Sequence, residues 1–200
     1  MQFEEANHHY YCNGERCPSI TQVISYRFKD KYKGVDPKVL ENAARLGTQL
    51  HSAIELYETL GIANEELVEV SNYIKLKEQE KFEVLENEIP IVLRYKDMTI
   101  CGRLDMKIKE DDEIGLGDIK RTYELDVKYL CYQLNLYRLA YMQCYDGNLT
   151  FLRGLHLRNK IKRYVAIPIK EDMAYELLED YYQNVYLKEN LYGTKKTNNN

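Results

Sequence analysis

Tryptophan is absent from this chain, proline occurs only 4 times, and no run approaches the roughly 18 consecutive apolar residues of a membrane span. The last absence excludes the sequence signature of a transmembrane helix. There is no CxxC pair, and the 5 cysteines (Cys12, Cys17, Cys101, Cys131 and Cys144) are odd in number. That argues against a disulfide framework and a closed zinc site, and leaves buried reduced thiols as the ordinary reading. No GxxxxGK[ST] loop occurs, so the chain carries no nucleotide-driven motor of its own. Net positive charge is missing too: the formal charge is -4 at pH 7. Any attraction to a polyanion must then come from local basic surface or from a bound cation.

The start, MQFEEANHHYY, has neither a basic stretch nor an apolar core, so no secretory signal is expected and the expected compartment is the cytoplasm. Neither an internal repeat nor a linker of distinct composition appears. One domain is expected over residues 1–192, followed by a polar tail, GTKKTNNN, over 193–200 that is too hydrophilic to order.

What is present is 44% hydrophobic and 30% charged residues, ordinary for a soluble globular chain, and 19 tyrosines suited to half-buried positions. Asn13-Gly14 reads as the tight turn of a small hairpin, and Ser19 as the N-cap of a short helix through about Ser25. From Pro37 to Leu60 the residues Leu40, Ala43, Ala44, Leu46, Leu50, Ile54 and Tyr57 recur at three and four, which predicts an amphipathic helix ended by Gly61. A second helix, rich in Glu and Lys, is expected from Asn64 to Leu85. Alternation then takes over: strands are expected around Ile89–Tyr95, Met98–Ile108 and Ile114–Ile119, forming a three-strand meander. Helical spacing returns from Asp126 to Cys144. Two further strands, Leu149–Leu157 and Lys162–Ile169, and a last helix from about Glu171 to Leu187 complete a mixed α/β layer structure.

Two aspartates and a lysine in the meander stand out. Asp105 and Asp118 are 118 − 105 = 13 positions apart, a spacing that lets adjacent antiparallel strands, joined by the Glu110-Asp111-Asp112 turn, bring both carboxylates to one end of the sheet. Lys120 lies two residues beyond Asp118 and shares its face. Hard carboxylate oxygens suit Mg²⁺ or Mn²⁺, and a neighbouring ammonium can orient or deprotonate water and neutralise a phosphate. The same three residues also fit solvated edge charges. From Leu149 to Lys170 there are six basic residues and no acid, readable equally as a phosphate-tracking groove or as the wet face of a sheet.

Taken in order, Gly47-x-x-x-His51, Gly102-x-x-Asp105, Asp118-x-Lys120 and Gln133-x-x-x-Tyr137 resemble the PD-(D/E)XK nuclease superfamily, in its RecB-like and phage-type exonuclease branch. The segment HHYYCNGERCPSITQVI, from His8 to Ile24, is similar to the entry segment of phage-encoded members. The resemblance covers about Gln2 to Tyr137. It implies a restriction-endonuclease-like mixed sheet flanked by helices and a metal-dependent DNA nuclease, most simply an exonuclease, with structure-specific endonuclease or catalytically silent binding module as alternatives. His51, Asp105, Asp118 and the carbonyl of Ile119 would hold one or two Mg²⁺ or Mn²⁺ ions, and Lys120 would be the catalytic lysine. Gln133 and Tyr137, one turn apart on a helix, would line the site and hold substrate.

Glu88 and Glu55 are less direct: Glu88 reads as a strand-start surface charge and Glu55 as an exposed helix partner. His8 and His9 read as structural, and His156 has no assigned role. Ser19 and Thr21 could meet a DNA phosphate at a helix start, though capping explains Ser19 equally well. Iron–sulfur relatives carry one early cysteine and three clustered late ones; no such cluster follows Cys144, so no iron–sulfur centre is expected. The implied partner is DNA, single- or double-stranded, with a single-strand-annealing or helicase protein alongside, in the cytoplasm of a bacterial or phage-infected cell and away from membranes. Nothing in the sequence indicates an oligomeric state.

Overall fold

The computed structural model of the chain describes residues 2–4 and 9–189. Its short leading strands, β1 (Gln2–Glu4), β2 (His9–Cys12) and β3 (Glu15–Cys17), form a three-stranded antiparallel sheet. Asn13 and Gly14 turn β2 into β3 with φ of 54° and 84°, the left-handed backbone this pair was expected to supply. β1 was not legible as a strand, because its 3 residues are too few for an alternating pattern to show, although it pairs with the next strand, Phe3 opposite Tyr10. Helix α1 (Ile20–Arg27) follows, with a reciprocal cap: Ser19 Oγ accepts from Gln22 N–H at 3.1 Å while Gln22 Oε1 accepts from Ser19 N–H at 2.8 Å. The capping explanation of Ser19 therefore holds.

Helix α2 (Pro37–Leu60) begins at the N-cap Asp36 and ends at Gly61 in left-handed conformation. Its apolar stripe is only half used. Leu50, Ala53 and Ile54 are buried, whereas Ala43 and Ala44 are exposed, so the first three turns stand clear of the core. Helix α3 is Val68–Glu80, shorter than the Asn64–Leu85 reading. Lys81 stops it at φ 58°, and the charged residues beyond enter strand β4 (Glu83–Tyr95). Propensity for helix in a Glu/Lys-rich stretch lost there to pairing with the next strand.

Strands β4, β5 (Met98–Glu110) and β6 (Glu113–Lys120) form the expected antiparallel meander. Helix α4 (Val127–Cys144) then crosses over, and β7 (Phe151–Arg158) pairs parallel to β6, with β8 (Ile161–Ile167) antiparallel on the outer edge. A parallel neighbour demands such a crossover. The result is one five-stranded mixed sheet in the order β4-β5-β6-β7-β8, with helices on both faces. One face packs Leu116, Leu152 and Ile167 against Leu130 and Leu134 of α4 and against α1 and α5 (Glu171–Tyr181). The other packs Ile119, Leu155 and Phe151 against Leu50 and Ile54 of α2 and Tyr73 of α3. A π-helical turn, Tyr182–Tyr186, extends α5. No helix among the described residues is long and apolar enough to cross a membrane. The tail expected over 193–200, and His8, lie outside the described residues.

Close approach explains two glycines of the sheet. A Cβ at Gly117 would come within 2.9 Å of Met106 Cγ, and one at Gly154 within 2.5 Å of Leu130 Cδ2, so α4 lies directly on β7. Cys17, Cys101 and Cys131 are buried thiols, but Cys12 is only half-buried and Cys144 exposed, its Sγ 3.1 Å from the Val92 carbonyl; the uniform burial expected of the cysteines does not hold.

Candidate metal centre

The ladder between β5 and β6 stops at Met106 opposite Gly117. One residue further the strands part, and the gap is bridged by side chain instead of main chain: Asp105 Oδ2 accepts the N–H of Ile119 at 2.7 Å. Into this fork α2 projects His51, whose Nε2 lies 3.2 Å from the Ile119 carbonyl and whose Nδ1 lies 3.4 Å from Asp105 Oδ1. Gly47, one turn earlier, has nothing within 4 Å of where its Cβ would be, so the approach to His51 on that side is open.

Glu88 completes the group, contrary to its reading as a strand-start charge. β4 begins five residues earlier, so Glu88 is mid-strand, and a φ of 50° lets it turn its carboxylate toward the fork. Its Oε1 stands 3.9 Å from His51 Nδ1, and its Oε2 pairs with Arg103 Nε at 2.6 Å. Such a backbone angle is costly for any residue other than glycine and is concentrated at functional sites. One donor atom each from His51, Glu88 and Asp105 lies within 4.8 Å of the others. An imidazole nitrogen and two carboxylate oxygens, with the Ile119 carbonyl alongside, form a donor set of the kind that holds a divalent cation. Glu55 is exposed and is no part of this group, in keeping with its reading as a helix surface residue.

Asp118, also expected among these donors, lies next to them at the end of β6, and neither of its buried carboxylate oxygens has a partner in hydrogen-bonding geometry among the described residues. It is wholly buried and paired with Lys120 Nζ at 2.5 Å. Burial pushes its carboxyl up to about 6, against the pull of Lys120. Burial works against the Lys120 ammonium as well, but the charges of Asp118 and Asp105 outweigh it and hold its pKa above the ordinary lysine value. His51 behaves likewise: burial opposes the proton, yet Asp105 and Glu88 raise its pKa to about 10. A cation bound at Nδ1 would displace that proton, while Nε2 stands 3.2 Å from the Ile119 carbonyl. Asp105 is in turn kept below the usual carboxylate range, with His51 overcoming its burial.

On the α4 side, Gln133 Nε2 donates to the Tyr137 hydroxyl at 3.1 Å, both residues being buried. Burial and then the Asp118 and Asp105 charges raise the Tyr137 hydroxyl well above its ordinary value, so it remains a neutral donor. Gln133 and Lys120 also line one cavity with Thr21 of α1.

The basic segment divides. Arg153 turns to Glu110, with contacts of 2.7 and 2.8 Å, and Lys162 reaches Gln79. Arg163 is exposed and lies in register with His156, which is itself in register with Lys120. His156 is buried, its Nε2 2.8 Å from the Thr122 carbonyl, and so braces the segment that leaves β6. His9 pairs with Glu4 at 3.8 Å.

No family model matches the chain, and no curated protein matches it. Among solved structures, the crystal structure of SSO0001 is similar, with a TM-score of 0.51 and 17% identity over 86% of this chain and 78% of that one. Identity this low speaks for the fold alone, the mixed sheet with helices on both faces.

Proposed function

We propose that the chain is a metal-dependent DNA nuclease of restriction-endonuclease-like fold, an exonuclease that hydrolyses phosphodiester bonds using Mg²⁺ or Mn²⁺. The observation that carries the reading is the convergence of His51, Glu88, Asp105 and the Ile119 carbonyl at the fork of β5 and β6, with Lys120 on the adjoining strand end. Hard oxygen donors around one imidazole fit these ions. When bound, such a cation supplies Lewis-acid polarisation of a phosphoryl oxygen and acidifies a water molecule.

The chain's own groups do the rest. Glu88 and Asp105 hold the cage negative, and Arg103 fixes the Glu88 carboxylate from outside. Lys120, anchored on Asp118, offers an ammonium to the charge that grows on the phosphate oxygens as water attacks phosphorus and the sugar oxygen departs. Gln133 and Tyr137 present amide and hydroxyl donors beside it. Lys120 at the end of β6 and the exposed Arg163 on β8 place basic charge on either side of the buried His156, a spacing suited to a DNA backbone.

The test is a time course of the protein with end-labelled linear DNA and with covalently closed circular DNA, each with and without Mn²⁺. Loss of the linear form alone, only with metal and not in Lys120→Ala, is expected. Cutting of the closed circle would select an endonuclease, and failure to cut either would refute the nuclease assignment.

A further inference from the structure

Beside Lys120, on the side away from His51, lies a cavity of about 320 Å³. It opens between α1, the turn after it and the start of α4. Its charges cancel in pairs: Lys31 meets Asp126 at 2.8 Å, and Lys120 meets Asp118 at 2.5 Å. Lys31 is further engaged over the ring of Tyr129, 4.0 Å from the centroid. What remains open is neutral. Gln133, 6% exposed, has a side-chain oxygen with no partner among the described residues, and the buried Thr122 hydroxyl is also unpartnered. Tyr32 forms an outer wall and is 52% exposed; Lys31 Nζ lies 5.6 Å from its ring centroid, and no aromatic ring packs against it among the described residues, so a ring face stays free to stack.

We propose that this cavity is a pocket for one unpaired nucleobase, stacked on Tyr32 and hydrogen-bonded through the Gln133 amide and the Thr122 hydroxyl. A second phosphate would need a further cation: Lys31 is matched by Asp126, and Lys120 serves the phosphate at the fork. A flat, neutral heterocycle with donors and acceptors on its edge needs what the cavity has: an open ring face and unsatisfied amide and hydroxyl groups. The volume lies at the lower end of small-molecule sites, roughly 300–1,000 Å³, which suits a single nucleotide. A base in a duplex has both faces stacked and its edge paired, so it reaches such a pocket only after it is splayed out, at least cost when the strand is already single. The substrate form this selects is DNA that is unpaired at the residue next to the cut. The proposal rests on the nuclease reading for what lies next door, and its test is independent of cutting.

Binding is measured in EDTA, by competition anisotropy, with unlabelled single-stranded hexadeoxynucleotides in which an abasic residue is stepped through every position. One position is expected to weaken binding to the wild type by at least about fivefold, the scale of a lost base–aromatic stack. In Tyr32→Ala the same abasic residue is expected to cost nothing more, while Tyr32→Phe keeps the wild-type pattern. A blunt hairpin should compete less well than the hexamer. A flat abasic scan, or a penalty of equal size in Tyr32→Ala, would overturn the pocket. The abasic signature without metal-dependent cutting would sink the nuclease reading and leave the pocket standing; cutting with a flat scan would do the reverse.

Discussion

The carboxylate of Asp105 on β5 accepts the main-chain N–H of Ile119 on β6, 2.7 Å away, at the place where the ladder between the two strands has just ended. The side chain thus does two things: it continues the sheet's hydrogen bonding for one more step, and it offers its other oxygen to His51. Asp105→Ala should lose both, leaving a buried N–H without a partner at a cost of about 1–3 kcal/mol. Asp105→Asn should restore most of that stability, since its amide oxygen can still accept, yet bind Mn²⁺ at least about tenfold more weakly than wild type. Urea unfolding and calorimetric Mn²⁺ titration of the two variants check this; equal metal affinity in Asp105→Asn and wild type would refute its role as a ligand.

Glu88 should report on backbone cost. With φ at 50°, Glu88→Gly relieves a conformation that penalises other residues by about 1–2 kcal/mol, whereas Glu88→Ala does not. The glycine variant is therefore expected to be the more stable of the two, opposite to the usual order within a strand. Both should weaken Mn²⁺ binding. An alanine variant that unfolds later in urea would show that the angle carries no strain.

For Asp118, stability and activity are expected to part. Its carboxyl is raised to about 6 by burial, above the ordinary unfolded value of about 3.9, so the fold bears a penalty above pH 6 that disappears below about pH 4. Asp118→Asn removes the charge and should raise Tm at pH 8 by roughly 2–8 °C, with no gain at pH 4. DNA cleavage should be lost. A lower Tm at pH 8 would mean that the pairing with Lys120 outweighs the burial.

Gly154 couples the sheet to α4. Adding a methyl group there presses on the terminal Cδ2 of Leu130, which is fully buried and must repack among its neighbours, so Gly154→Ala should cost about 1–3 kcal/mol and disturb the helix that carries Gln133. Chemical denaturation measures the first effect, and turnover on linear DNA the second. A fully stable and fully active variant would show that the helix accommodates the methyl group freely.

Acid should weaken a contact remote from the fork. Lys96, then Tyr95 and Gln183, hold the Glu179 carboxyl down to about 2, below the ordinary unfolded value of about 4.3. The stability it contributes is complete above pH 4.3 and fades as pH falls toward 2. Glu179→Gln should then be less stable than wild type at pH 6, with the gap narrowing steadily from pH 4 toward pH 2. A gap that stays constant across that range would rule out the ionised contact as its source.

Much of this was written in residue type and spacing. The i, i+2 pairing of Asp118 with Lys120, the glycine one turn before His51 and the single turn between Gln133 and Tyr137 each encode a shared face, and the structure realises each on the expected element. Glu88 was not legible. Its role depends on a left-handed residue inside a strand, which alternation cannot signal, and on a histidine 88 − 51 = 37 residues upstream. For Asp118, spacing put the carboxylate at the right end of the sheet but could not reveal how close Lys120 would stand to it or how fully it would be buried. The parallel joining of β6 to β7 is a tertiary choice with no local period, and β1, three residues long, is too short for alternation to show. The cavity beside Lys120 draws on α1, two turns and α4, so no single stretch of sequence announces it.

A centre built into a seam between strands, not hung on a loop, cannot loosen by itself. The Ile119 amide is held by Asp105 on one side, and Asp118 to Lys120 pair with β7 on the other, so exchange of the Ile119 amide with deuterium should be slow for a strand end. On heating, the donor cluster should disperse only together with the strands that carry it, so loss of Mn²⁺ binding should coincide with loss of the fold.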